Sequence, residues 1–221
     1  MESLINFFFG KKTKPVKAIG GDIAYHQLQS WWMNTFSEEE RAYIVERHRP
    51  LGTGPGRDSL IEGNITYTSA TASMFLAGLA TWFQSPEDRH IGRRLLEKSL
   101  EQSKELRNDD DVLDRHFALS NSIPSYYRER ENKTMLQKAI NACINQINLA
   151  PKASAAFLCA YPNSPLPTHV GYTQLSIIYE KQGKITEAIA LCRQARERGW
   201  NGDWDERIAR YEKKLAKQLG V

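Results

Sequence analysis

The chain has 221 residues, 41% of them hydrophobic and 25% charged, with a formal net charge of +4. That length buries a core without help from disulfides or metals. Lys11, Lys12, Lys14 and Lys17 outweigh Glu2 in the first 20 residues, so the remainder carries only +1, which gives no footprint for nucleic-acid binding.

No apolar run reaches the length of a membrane span. Cys143, Cys159 and Cys192, an odd number, read as small thiols in a reducing compartment. A cytoplasmic protein is expected. Residues 1–20 form a short apolar patch, Leu4, Phe7 and Phe8, followed by a basic linker. They are expected to be a mobile tail, with weak contact to an anionic membrane as one alternative role. Ile23, His26, Trp31 and Trp32 suggest one amphipathic helix from Asp22 to about Asn34. A second helix starts at Ser37, where Ser-Glu-Glu-Glu fits a capping box, and ends near His48. The Gly- and Pro-rich run that follows is an exposed loop.

Met74 to Phe83, apolar and uncharged, predicts a covered helix. Ser85-Pro86-Glu87-Asp88 then marks a serine-capped helix start carrying the stripe Ile91, Leu95, Leu96 and Leu100. The spacing places its end at the acidic turn Asn108 to Asp111. Leu113 to Arg130 is predicted helical with an interruption near Pro124. Met135 to Leu149 is helical and is stopped by Pro151, and residues 152–168 are an insertion that cannot all be helix. Tyr172 to Trp200 predicts two helices packed around the Gly183 turn, and Asp203 caps a closing helix that buries Ile208, Tyr211 and Leu215.

Within that last pair Tyr172, Leu175, Ser176, Tyr179, Gly183, Ala188 and Ala195 are spaced so that it resembles a tetratricopeptide (TPR) repeat. Phe83 and Gly92 repeat the nine-residue interval from Tyr179 to Ala188, and Leu76, Leu79 and Ala80 precede Phe83 in matching register. A third copy is suggested by Ala139, Cys143, Leu149 and Pro151. Its first helix departs from the family, because Arg130 stands where the aromatic belongs. The pattern requires close helix contact at Gly92, Ala139 and Ala188. The fold class expected is all-α: an irregular TPR-like α-solenoid of helical hairpins, with an N-terminal helical segment and a C-terminal closing helix. Its divisions are a tail over 1–20, a helical segment and loop over 21–66, and a repeat domain over 67–221.

The resemblance implies a concave face built from the first helices, presenting Met74, Ala77 and Thr81 in one unit and Thr173, Ile177, Glu180 and Lys181 in another. Lysine and asparagine of a carboxylate clamp are missing at Thr173 and Ile177, so a mostly apolar groove for a peptide or helix is expected. Chemistry finds little support in the sequence. Gly52, Gly54 and Gly56 lack the lysine of a phosphate loop, the five histidines lack metal spacing, and no Gly-x-Ser-x-Gly elbow is present. The reading is a non-enzymatic interaction adaptor without a cofactor. An enzyme or nucleotide binder with its site near residues 49–63, and a peripheral membrane protein attached through residues 1–17, are the alternatives.

Overall fold

The computed structural model describes residues 19–50 and 59–219. The expectations placed on tail residues 1–17 and on Gly52, Gly54 and Gly56 fall outside them. The protein is all-α, with ten helices among the described residues and one pairing of two very short strands. It divides into two compact units after Tyr67.

The first unit holds α1 (Gly21–Tyr25), α2 (Gln29–Thr35) and α3 (Glu38–Arg47). The single helix expected from Asp22 to Asn34 is broken, because Gln27 adopts a left-handed conformation with φ of 57°. The break lets Ile23, Leu28 and Trp32 all enter one core with Phe36, Ile44 and Leu60. The capping box forms as the sequence predicts: Glu40 N–H donates to Ser37 Oγ at 3.2 Å, and Ser37 N–H donates to Glu40 Oε2 at 2.9 Å.

The second unit comprises α4 (Ala72–Ala80), α5 (Arg89–Gln102), α6 (Asp109–Arg128), α7 (Lys133–Ala160), α8 (Val170–Lys181), α9 (Ile185–Glu197) and α10 (Trp204–Leu219). Each of these packs on the next, and α4, α6 and α8 also touch in succession. The apolar faces of α6 to α10 merge into a continuous core from Val112 to Tyr211. Strands β1 (Leu166–Thr168) and β2 (Trp200–Asn201), which the sequence did not announce, pair in parallel through Leu166 and Trp200.

Several expected boundaries move. Ser85 to Asp88 form a turn before α5, with Ser85 N–H donating to Asp88 Oδ1 at 2.9 Å, so the helix starts at Arg89. The acids Asp109 to Asp111 open α6 instead of closing α5. Asn108 Oδ1 accepts the Asp111 N–H at 2.9 Å, and the carboxylates lie beside the positive helix end. Pro124 and Pro151 interrupt neither helix: α6 runs through the first and α7 through the second. Each proline removes one backbone hydrogen bond. In α7 the stripe Ala150, Ala153, Ala156 and Phe157 stays buried past Pro151, so packing on both sides of the proline offsets that loss. Residues 152–160 therefore belong to α7, and only 161–169 form a connection.

The three positions that require close contact are all enclosed. Ala139 and Ala188 have no exposed surface, and Gly92 is buried against the end of α4. A Cβ on Gly92 would lie 2.5 Å from the Phe83 carbonyl oxygen, a backbone atom that cannot step aside. Gly92→Ala should therefore lower the unfolding free energy by about 1–3 kcal/mol in denaturant titrations. Gly78→Ala is the contrast, because an added methyl there meets nothing within 4 Å. On the exposed face of α4 it should raise stability by about 0.5–1 kcal/mol through reduced chain entropy.

Candidate functional site

The α4 residues singled out by the sequence divide between surface and floor. Met74 is 47% exposed, Ala77 is buried, and Thr81 is exposed with its hydroxyl donating to the Gly78 carbonyl at 2.7 Å. Ala77 and Thr81 line a pocket of about 160 Å³ against α6, with Ala80, Leu96 and Pro124 as its other apolar walls. Arg128 closes one side by donating to Gln84 Oε1. Asn121 and Ser125 supply the remaining α6 rim, and Asn121 Nδ2 donates to the Phe117 carbonyl at 2.8 Å. Phe117, one helical turn before Asn121, is 41% exposed and packs edge-on against Phe157.

Sequence reasoning missed these α6 residues because it anchored the helix register on Arg130, which lies beyond the end of α6 and is exposed. The signal was nevertheless present. Moving the aromatic position from Arg130 back to Tyr127 places Asn121, Ser125 and Arg128 where Thr173, Ile177 and Glu180 stand in the last pair.

The α8 residues are not gathered into the same pocket. Thr173 and Ile177 are half-buried. Glu180 is held by α10, accepting from Lys214 Nζ and lying 3.9 Å from Arg210. Burial pushes its carboxyl upward, but the Lys214 hydrogen bond and the two cations outweigh this and keep it below the usual range. Lys181 is exposed, with its ammonium 5.6 Å from the Tyr127 ring centre. It lines a separate pocket of about 210 Å³ with Tyr127, Leu136 and Ile178. Glu180 thus serves the docking of α10, while Ala77 and Thr81 share a cavity.

A buried polar junction fixes α6, α7 and α8 beneath that face. Gln146 of α7 has no exposed surface, and its amide donates to the His116 carbonyl at 3.2 Å and to Ser120 Oγ, while its oxygen accepts the Gly171 N–H at 2.7 Å. There is no room for a side chain at Gly171, since a Cβ would sit 2.8 Å from Gln146 Oε1. His169 caps α8, its Nδ1 accepting from the Tyr172 N–H at 3.3 Å. His116 stacks on Trp200 at 5.5 Å, and His169 meets the same indole edge-on at 4.6 Å. Both histidines are buried, and among the described residues His116 Nδ1 and His169 Nε2 find no hydrogen-bond partner. Burial lowers the pKa of His116 to about 4 and that of His169 to about 3, the latter helped by the nearby His116 and Arg198. No sequence pattern links these two histidines. They lie 53 residues apart, and their rings come within 5.3 Å only when β2 folds against α6 and α8.

Other chemistry is sparse among the described residues. No group of three His, Cys, Asp or Glu side chains there could hold a metal, and no described helix is long and apolar enough to cross a membrane. Cys143 and Cys192 are buried free thiols, and burial pushes Cys143 up to about 12; Cys159 is free and exposed. Arg49, at the edge of the suggested 49–63 site, donates to the Val45 carbonyl at 2.9 Å. No protein-family model, curated protein or solved structure matches the chain.

The histidine junction yields a signed pH dependence. Above pH 6.5 both histidines are neutral, folded or unfolded, and the junction's contribution is complete. As the pH falls towards 4 the unfolded chain takes up protons that the native core refuses, so stability drops by up to about 1.4 kcal/mol per pH unit for each histidine. Hydrogen exchange of α8 amides between pH 7 and 4 should register this loss. A variant combining His116→Phe with His169→Asn, which keeps a helix cap, should show a flatter profile.

Proposed function

We propose that this protein is a non-enzymatic interaction adaptor of the cytoplasm, built on a TPR-like stack, that receives a peptide or helix on the face shared by α4, α6 and α8. The observation that carries the reading is the row formed by alternate helices. They touch in succession, and Met74 and Phe117 are exposed beside the pocket floored by Ala77 and Pro124, with the Arg128 guanidinium on its rim. Asn121 lies four residues after Phe117, and Pro124 and Arg128 continue the same side of α6. Side chains of an amphipathic helix could seat in such a row, with apolar anchors recurring every three or four residues.

The repeat resemblance supports the same conclusion from the sequence side. Small residues at Gly92, Ala139 and Ala188 are what a stack of paired helices needs, and a groove made of first helices is the surface such stacks use for ligands. Fold analogy alone does not give function, so the α6 pocket has to be tested directly.

Screening a library of helical peptides by fluorescence anisotropy should identify ligands. Thr81→Arg or Asn121→Arg, each placing a long cation across the pocket mouth, should weaken them at least tenfold, about 1.4 kcal/mol. Both sites are exposed, so the unfolding midpoint should stay within a degree or two of the parent. Undiminished affinity in both variants refutes the α4–α6–α8 face as the binding surface.

A further inference from the structure

A larger groove, of about 760 Å³, runs between α9 and α10. Its apolar lining comes from three helices: Tyr179 of α8, Ile189 and Leu191 of α9, and Leu215 of α10. The α9 side is ordered like a docking ridge. Glu187, Ala190, Gln194 and Glu197 recur at intervals of three or four residues, which keeps them on one face across about 15 Å, close to three helical turns. Ala190 lies within this ridge and is exposed. The smallest side chain therefore stands where a second helix would have to come nearest, and close approach of two helices requires small residues at the crossing.

The charges around the groove do not cancel. Arg193 and Glu212 satisfy one another across it at 2.6 Å. Glu187 and Glu197 line the α9 ridge and have no ion pair among the described residues, while the Lys184 ammonium lies 5.5 Å from the ring centre of Tyr179 at the other side of the lining. Glu187, in the first turn of α9, is accounted for by the positive end of its own helix. Glu197, in the last turn, is not, since an acid beside the carbonyl end opposes the helix dipole.

We propose that the α9–α10 groove docks a cationic amphipathic helix of a partner protein. The helix lays its apolar stripe over Leu191 and Leu215, passes closest at Ala190, and places lysines or arginines against Glu187 and Glu197. Two such cations spaced about eleven residues apart return to the same face of a helix after three turns and match the separation of the two acids. This proposal is independent of the α4–α6–α8 reading, because it rests on different helices and on charge complementarity.

The test titrates the full chain with a synthetic helix of about four turns that carries leucines every three or four residues and two lysines about eleven residues apart. A parallel titration uses the same peptide with glutamates replacing the lysines. The lysine peptide should bind, protect α9 and α10 amides from exchange, and weaken with added salt. Ala190→Arg should reduce its affinity at least tenfold, and combining Glu187→Lys with Glu197→Lys should transfer the preference to the glutamate peptide. Unfolding midpoints check that each variant is folded. Equal binding of both peptides overturns the proposal. So does a lysine peptide whose affinity survives Ala190→Arg but is lost in Thr81→Arg, which would seat it on the α4–α6–α8 face. A concentration-dependent dimer dispersed by Ala190→Arg, with no peptide bound, assigns the groove to a second copy and overturns it equally.

Discussion

The second unit depends on how near one helix is allowed to come to the next. At Gly92 the α5 backbone passes so close to the end of α4 that one methyl group would collide with the Phe83 carbonyl, and Ala139 and Ala188 are likewise enclosed in α7 and α9. Close approach brings large side chains into register around each small one: Leu76, Leu79 and Phe83 in one place, and Tyr172 and Leu175 in another. Interiors packed at crystal-like density gain dispersion from every such neighbour and lose it quickly when a gap opens. The continuity of the core from α6 to α10 follows from this spacing.

Polar groups settle what apolar packing leaves free. Helices with broad hydrophobic faces can slide by a turn at modest cost, but the Gln146 amide has buried partners on both α6 and α8 that are met in one alignment only. His169 adds direction, since its ring nitrogen caps α8 and its edge rests on Trp200, drawing β2 and the start of α10 onto the same point. Tyr172 extends the arrangement by accepting from Arg198 at 2.7 Å, beyond the end of α9. Holding two neutral imidazoles without full hydrogen bonding is costly. Well-defined helix alignment around the face above them is what the arrangement gains.

The two surfaces proposed to take a helix differ in the side chains they expose. Beside the pocket of α4 and α6 the exposed positions include Met74, Thr81, Phe117 and Asn121, and Arg128 donates to the neutral Gln84 side chain. Along α9 the ridge carries acids around a bare alanine. Rows of this kind discriminate by what they leave unpaired: an anionic helix meets repulsion at Glu187 and Glu197, whereas a neutral one forfeits their attraction. Glu180, by contrast, spends its charge internally on Lys214 and Arg210, holding α10 in the position that makes the groove exist.

Most of the helices could be read from the chain because their evidence is local. The Ser37 capping box, the stripe Ile91, Leu95 and Leu96, and the small residues at Gly92, Ala139 and Ala188 each state a requirement within a few residues. Reading failed where a long-range contact reversed a local preference. Pro124 and Pro151 signal an end to helix, yet α6 and α7 continue, because burial on either side of each proline outweighs one missing hydrogen bond. Gln27 favours helix but turns left-handed so that Ile23 and Leu28 reach the same core. The α6 half of the pocket was legible only once the repeat register is set on Tyr127, and the meeting of His116, His169 and Trp200 had no local signature, since residues far apart in sequence acquire a common surrounding only after packing. What the sequence determined by itself is the class of fold and the points of closest helix contact, both set by periodicity and side-chain size. The tertiary structure alone decided which side chains share a cavity and which charges are paired internally, because those are properties of distances that no single segment contains.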